Sequence, residues 1–152
     1  MGGYSVERSI TVNAPAHRVH GFVDDFHEWP LWSPWEDVDP GLQRTYTGPD
    51  RGVGARYAWA GNRKAGQGSM KITGSGPDGI DIIVEFLKPI RATNQTRLSF
   101  QTIDSRTEVR WVMSGQHKGL MGLMGKVLSM DRLIGPDMDK GLNRLKAVAE
   151  RS

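Results

Sequence analysis

Apolar and polar positions alternate at the start of the chain. Val6, Ile10 and Val12 share one parity, with Arg8 as the charged exception, which predicts a strand over 4–12 with one buried face. Asn13 offers an N-cap shortly before Pro15, and a helix over 16–23 then carries Val19, Phe22 and Val23 inward. A second helical piece falls on the stretch WPLWSPW, where Trp29, Trp32 and Trp35 stand three apart. Pro30 and Pro34 rule out a long helix there, because each lacks an N–H and restricts the residue before it, but one or two turns remain. Period two then returns. After Asp39, Pro40 and Gly41, the run to Tyr46 predicts a strand, and the glycines of 48–54 a turn. Tyr57 and Trp59 alternate, Gly61 and Asn62 reverse the chain, and Met70 and Ile72 lie on the strand that follows. Beyond a turn over 74–79, Ile80, Ile82, Val84 and Phe86 form one apolar face, Asp81 and Glu85 the other, and Pro89 ends the strand. Strands over 92–103 and 107–114, with a tight turn over 104–106 between them, complete an antiparallel meander.

The period then lengthens to between three and four. Met130, Leu133, Ile134, Met138, Gly141, Leu142, Leu145 and Val148 make one stripe of an amphipathic helix, with Asp131, Lys140, Arg144 and Lys146 largely off it. Pro136 is expected to kink this helix or to mark a junction between two pieces. A shorter helix over 120–128, rich in Met and Gly and so weak in helical propensity, is expected before it.

The chain is 152 residues long, which suits one domain, 1–152, with a real core. Cysteine is absent, so disulfides, thiolate zinc sites and a cysteine nucleophile are excluded. The N-terminal MGGYSVERSI has no apolar run of the signal-peptide kind, and no stretch is long enough to cross a bilayer, so the expectation is a cytoplasmic protein without stable membrane insertion. Lys and Arg exceed Asp and Glu by only 20 to 17, with no basic run or stripe, which argues against nucleic-acid binding. Asn94, Gln95 and Thr96 form a glycosylation sequon that carries no weight without a secretory signal. Three of the five tryptophans lie in WPLWSPW, and rings that bury so much apolar area must pack against something. Ordinary core is favoured there over direct ligand contact.

One long helix can cover one face of a curved antiparallel sheet, and the space between them is the functional idea. By strand parity its lining includes Tyr57, Trp59, Met70, Ile72, Ile82, Val84, Phe86, Leu98, Phe100, Val109, Trp111 and Met113, closed by Met130, Ile134 and Met138. Aromatic and methionine side chains dominate, a composition that adapts to an irregular apolar ligand, although the same side chains can also simply fill the space.

In order along the chain, RSITVNAP, WPLWSPW followed by Asp39-Pro40, GVGARYAWAGN with the later Gly66 and Gly68, EFLKP, RWVMSG and IGPDMDKGLNRLK resemble the START-like, or SRPBCC, superfamily, in its polyketide cyclase/dehydrase and lipid-transport branch. The resemblance spans nearly the whole chain. It implies an α+β helix-grip fold, in which a curved antiparallel sheet wraps around a long C-terminal helix, with two short helices after the first strand. It does not specify an activity, since this fold hosts carriers, sensors and cyclases, and function has to be argued from the site.

Few polar residues fall on the apolar parities. Asn94 and Thr96 share the parity of Leu98 and Phe100, and Tyr57 brings a phenol, so these three are the candidates to orient a ligand carbonyl or hydroxyl. Arg8 is the charged candidate, weighed against a position at a strand end with its head in water. Glu85, Arg97, Glu108 and Arg110 lie on the opposite parity, where charge pairing on a solvated face explains them. His17 and His20 are three apart and His27 follows, but nothing in the sequence places a third ligand with the pair, so no metal is expected. His117 is either a gate residue or without a role. Gly52 and Gly54 lead into a strand rather than a helix N-terminus, which excludes a phosphate-binding fingerprint, and no cofactor is expected.

These features favour binding or transport of a small hydrophobic ligand, such as a lipid, fatty acid, polyketide or aromatic metabolite, by a monomer or homodimer. Burial of ligand surface at about 25 cal/mol per Å² supplies the affinity, and 120–130 serve as the entrance. The rival is a polyketide cyclase or dehydratase using the same cavity, with a Tyr or Arg assisting proton transfer and no catalytic residue assignable. A third possibility is a partner-binding module with the tryptophan segment as an exposed docking patch.

Overall fold

In the computed structural model, which describes residues 3–35, 39–63, 65–88, 91–116 and 130–151, the alternating segments join into one seven-stranded antiparallel sheet. Its strands are β1 (Gly3–Val12), β2 (Gln43–Thr47), β3 (Arg56–Ala60), β4 (Gln67–Gly76), β5 (Gly79–Lys88), β6 (Ala92–Ile103) and β7 (Arg106–Gln116). The order is β1-β7-β6-β5-β4-β3-β2. From β2 to β7 each strand pairs with the next, as short turns dictate. β1 pairs with β7 instead, because α1 (Ala16–Val23) and a 3₁₀ helix (Phe26–Leu31) carry the chain from one edge of the sheet to the other. The long helix α2 (Met130–Arg151) packs along β1 and reaches α1 and the 3₁₀ helix. This curved sheet around a C-terminal helix is the helix-grip arrangement that the resemblance implies.

Several boundaries differ from the expectation. The turn over 74–79 is shorter, since β4 runs to Gly76 and β5 starts at Gly79, leaving only Pro77 and Asp78 between them. Asn13 does not cap α1: Pro15 is the N-cap, and the Asn13 backbone N–H donates to Glu150 Oε2 at 2.7 Å. Proline at that position has a fixed φ suited to helix entry and offers no side-chain cap. α2 passes through Pro136 as one helix rather than two. Pro136 and Arg132, whose carbonyl the missing N–H would have met, are both exposed, so water can replace the lost bond. Pro89 and the expected helix over 120–128 lie outside the described residues, as does His117.

The tryptophan segment is core, and its indole donors show how. Trp29 Nε1 donates to the Val23 carbonyl at 2.9 Å and Trp32 Nε1 to that of Phe22 at 2.8 Å, so both use acceptors at the end of α1. Trp35 Nε1 reaches Asp137 on α2 at 3.3 Å, and Arg144 donates to the Ser33 carbonyl at 3.2 Å. Trp32 and Trp35 both meet the ring of Trp111 edge-on, with centroids 5.6 and 5.7 Å apart. Trp111 thus stands as a pillar between β7, the tryptophan segment and α2, and burying such a ring contributes on the order of a few kcal/mol. With Trp29 and Trp32 buried, the segment is not an exposed docking patch.

The outer face of the sheet carries the charges. Arg97 pairs with Asp81 at 2.9 Å, and Arg110 with Glu7 at 3.2 Å and Glu108 at 3.6 Å, while Glu85 is exposed there. Solvated pairs of this kind add at most about 1 kcal/mol each and leave the inner face to do the packing.

Candidate functional site

Residues directly opposite each other on antiparallel strands share a face, so the register resolves the inner face into rows. One row crosses all seven strands: Tyr4, Gly115, Asn94, Val84, Met70, Tyr57 and Tyr46. On one side of it lie Val6, Met113, Thr96, Ile82 and Ile72, then Arg8, Trp111, Leu98 and Ile80. On the other side lie Phe86, Gly68 and Trp59. Every cavity residue expected from parity and described with its side chain is on this face or on the facing side of α2. Met130 opens α2, but its side chain lies outside the described residues.

Burial along this face is graded. Ile80, Ile82, Ile72, Leu98, Phe100, Val109 and Trp111 are closed over by α1, the tryptophan segment and the middle of α2, where Met138, Leu142 and Leu145 are also buried. That end of the sheet is filled core. Towards the other end the same face opens: along β5, exposure passes from 0% at Ile80 to 1% at Ile82 and 6% at Val84, and Phe86 is only partly buried. Tyr4, Trp59, Met70 and Ile134 are partly buried there as well.

Two aromatic rings floor this open end, each reaching inward over a glycine. Trp59 lies over Gly68, where a Cβ would come within 2.6 Å of the indole, meets Phe86 edge-on at 5.7 Å, and donates its Nε1 to the Ala65 carbonyl at 2.9 Å. Tyr4 lies over Gly115, where a Cβ would stand 2.8 Å from the phenol oxygen and 3.0 Å from the ring. By crossing β7 in this way the phenol reaches β6, where it hydrogen-bonds the Asn94 side chain. Asn94 Oδ1 in turn accepts from Thr96 Oγ1 at 3.1 Å, and both residues are only 4% exposed. Burial pushes the Tyr4 phenol above its ordinary value of 10.0, and the Asn94 hydrogen bond partly offsets this.

Asn94 and Thr96 were expected to act with Tyr57, but the phenol that joins them is Tyr4. Tyr57 is in the same row, with Val84 and Met70 between, and belongs to an aromatic series with Phe26 at 5.9 Å, Tyr46 at 5.4 Å and Trp59 at 6.2 Å. Tyr4 is the residue that sequence reasoning missed. Its parity with Val6 was a signal for the inner face, but its meeting with Asn94 depends on β1 pairing with β7, a contact between the two ends of the chain. Arg8 is not at a strand end, and its head is only partly in water. It lies mid-strand, packs its guanidinium against Gly135 and pairs with Asp139 at 3.2 Å, so it serves the seam between β1 and α2.

The histidines go elsewhere. His20 Nδ1 is 3.6 Å from Asp24 Oδ2 and its Nε2 is 3.4 Å from Ser75 Oγ, while His27 Nδ1 is 2.8 Å from Asp25 Oδ1. Among the described residues no three His, Asp or Glu side chains are grouped to hold a metal ion. A cleft of about 100 Å³ opens beside His27, between the 3₁₀ helix and the β2–β3 turn, and a shallow groove of about 600 Å³ lies by Thr11, Ser105 and Lys146. Neither borders the Asn94 chain. Among the described residues no helix is long and apolar enough to cross a membrane.

A search of the curated proteins finds no match to the sequence. Among solved structures, the Zhui aromatase/cyclase from Streptomyces sp. R1128 is similar at 18% identity and a TM-score of 0.66, over 98% of this chain and 94% of that one. Ara h 8.0201 is similar at 11% identity and a TM-score of 0.70, over 99% and 100%. The Aha1 dimer from Colwellia psychrerythraea is similar at 14% identity and a TM-score of 0.67, over 97% and 96%. At such identities the likeness concerns the fold alone. The family model described as polyketide cyclase/dehydrase and lipid transport matches residues 4–150, and the chain belongs to that family.

Proposed function

We propose that this protein binds a small, largely apolar molecule between the inner face of its sheet and the N-terminal half of α2. The observation that carries this is the graded burial of one continuous apolar face. Ile80, Leu98 and Val109 are sealed, while Phe86, Trp59, Met70 and Ile134 at the other end remain partly open. A core that only had to fold would gain about 25 cal/mol for each further Å² closed over these rings, so leaving them open costs stability that a ligand can restore. Phe86, Trp59 and Met70 offer flat and adaptable apolar contact, and ligands with flat rings or flexible chains both suit them. Lipids, fatty acids, polyketides and other aromatic metabolites are the classes in view. The neighbouring Zhui protein is called an aromatase/cyclase, which keeps a polyketide-like substrate among them. Binding is preferred to catalysis because the open end of the face offers apolar contact, from Phe86, Trp59 and Met70, and places no ion pair or metal cluster among its described residues.

The test is native mass spectrometry of freshly purified protein, followed by solvent extraction. A discrete adduct that leaves on denaturation supports the reading and identifies the ligand class. Protein that is empty and takes up nothing from a panel of lipids and aromatic polyketides overturns it.

A further inference from the structure

A serine, a histidine and a carboxylate meet at the rim of the sealed end of the sheet, away from the apolar opening. Ser75 Oγ is 3.4 Å from His20 Nε2, and His20 Nδ1 is 3.6 Å from Asp24 Oδ2. An irregularity in β4 brings the serine there. Between Ile72 and Gly74 the register with β5 shifts, so that Ile72 stands opposite Ile82, Gly74 opposite Asp81 and Ser75 opposite Ile80. Strict alternation from Ile72 would turn Ser75 to the outer face. The extra residue, Thr73, turns it instead to the face of Ile80, where His20 of α1 reaches it. Bulges of this kind occur beside functional sites, where they re-aim a side chain.

Asp24 is the costly member. It is the C-cap of α1, only 7% exposed, and its Oδ1 is buried without a hydrogen-bond partner. Burial and the negative end of the helix dipole both oppose a carboxylate in that place, and a neutral side chain would serve the fold better. What the carboxylate does is face the imidazole one turn earlier. It favours the tautomer with the proton on Nδ1, which leaves the Nε2 lone pair towards the Ser75 hydroxyl. Phe100 fixes the His20 ring from another side, meeting it edge-on at 5.7 Å. Ser75 is exposed between two glycines, and a Cβ at Gly76 would meet nothing within 4 Å, so a substrate carbonyl has room to approach.

We infer that Ser75, His20 and Asp24 form a second site, one that hydrolyses small neutral carboxylic esters and is independent of the apolar-ligand reading. Ser75 Oγ bonds to the ester carbonyl carbon as its proton passes to His20 Nε2. The bond to the alcohol oxygen then breaks, and the alcohol leaves with that proton. Water gives a proton to His20 as it attacks the acyl-serine, the carboxylic acid is released, and the proton returns to Ser75 Oγ. Asp24 touches no substrate and is a positioning residue, which holds the Nδ1 tautomer and stabilises the imidazolium. The two separations are longer than the roughly 2.6–3.2 Å of a working relay, and catalytic hydrogen bonds are often long without substrate and tighten when it binds. Because Ser75 is exposed, a short acyl group suits it, and the nearby carboxylates of Asp24 and of Asp78 in the following turn disfavour an anionic ester.

The experiment measures p-nitrophenyl acetate hydrolysis, and labelling by a fluorophosphonate whose phosphorus the serine oxygen attacks with loss of fluoride, in the wild type and in Ser75→Ala, His20→Asn and Asp24→Asn. The expected result is a phosphonylated peptide containing Ser75, and saturable hydrolysis whose kcat/KM falls about 100-fold in Ser75→Ala and in His20→Asn. Circular dichroism establishes that the variants are folded, and Ser75→Ala alters only an exposed hydroxyl. Asp24→Asn separates positioning from packing. Its kcat falls about tenfold or more with KM unchanged, and the pH at which kcat reaches half its plateau moves down, because the carboxylate that favours the imidazolium has gone. Asp24→Glu restores part of the rate. Wild-type protein that is not labelled at Ser75, or hydrolysis that is as fast in Ser75→Ala, overturns the site. A pH profile unmoved in Asp24→Asn overturns the role of Asp24.

Discussion

Trp111 and Gly141 meet face to face between sheet and helix: a Cβ at Gly141 would stand 3.1 Å from Trp111 Cζ3 and 2.8 Å from Pro34 Cδ. The close approach of α2 to the pillar depends on that missing methyl group. Gly21 in α1 is the useful contrast, since nothing lies within 4 Å of a Cβ built there.

The same substitution should therefore have opposite signs in the two helices. Gly21→Ala gains about 0.5–1 kcal/mol from helix propensity with no steric opposition. Gly141→Ala makes the same gain but overpacks a close-packed junction at a cost of about 1–3 kcal/mol, so a net loss of about 1 kcal/mol is expected. Chemical denaturation of the two variants decides it, and a stabilised Gly141→Ala would show that the junction is looser than its geometry implies.

Trp32 and Trp111 are both completely buried but differ in their N–H groups. Trp32 donates to the Phe22 carbonyl at 2.8 Å, whereas Trp111 Nε1 is buried with no hydrogen-bond partner. Replacing either by Phe removes a similar apolar area. Trp32→Phe also breaks a bond and deprives the Phe22 carbonyl of its donor, while Trp111→Phe removes a donor that had none to lose. Trp32→Phe is expected to cost about 1 kcal/mol more. Equal losses in urea titrations of the two variants would contradict this account.

The sheet was legible because its strands alternate cleanly. Ile80, Ile82, Val84 and Phe86 define a face without any tertiary information, and the long apolar stripe of α2 does the same for the helix. Asn94 and Thr96 were legible as inward polar residues for the same reason, being on the parity of Leu98 and Phe100. What parity cannot give is which end of a face is open or which strands become neighbours. Tyr57 and Tyr4 both lie on the inner face, and only the β1–β7 pairing brings Tyr4 close to Asn94. Arg8 was misplaced for a related reason: its charge on an apolar parity suggested a strand end, whereas Gly135 on a distant helix makes room for it in mid-strand.

Asp24 provides a prediction on the acid side. Burial raises its carboxyl above the ordinary 3.8, with His20 and Arg51 opposing the shift and Asp25 adding to it, and its Oδ1 is buried without a partner. The folded protein thus holds a proton where the unfolded chain has released it. The stability this contributes is fully present below pH 3.8 and is lost as the pH rises through the folded value. The difference in unfolding free energy between Asp24→Asn and wild type should accordingly shift in favour of the variant from pH 3.8 upward and then level off. A difference independent of pH over that window would mean that the carboxyl is not desolvated.

Tyr4 gives the corresponding prediction at alkaline pH and tests the hydrogen-bond chain without a ligand. Its phenol is raised above 10.0 chiefly by burial, so the folded protein keeps the proton longer than the unfolded chain, and the associated stability is present below pH 10 and lost as the pH rises through the folded value. Ultraviolet difference titration should show a late phenolate step that is missing from Tyr4→Phe. Asn94→Leu separates the two causes. Removing the carboxamide takes away a hydrogen bond that favours the phenolate while leaving the ring covered, so the Tyr4 step should move to still higher pH. A step that moves down in Asn94→Leu would mean that the carboxamide does not favour the phenolate but holds the phenol in its apolar place.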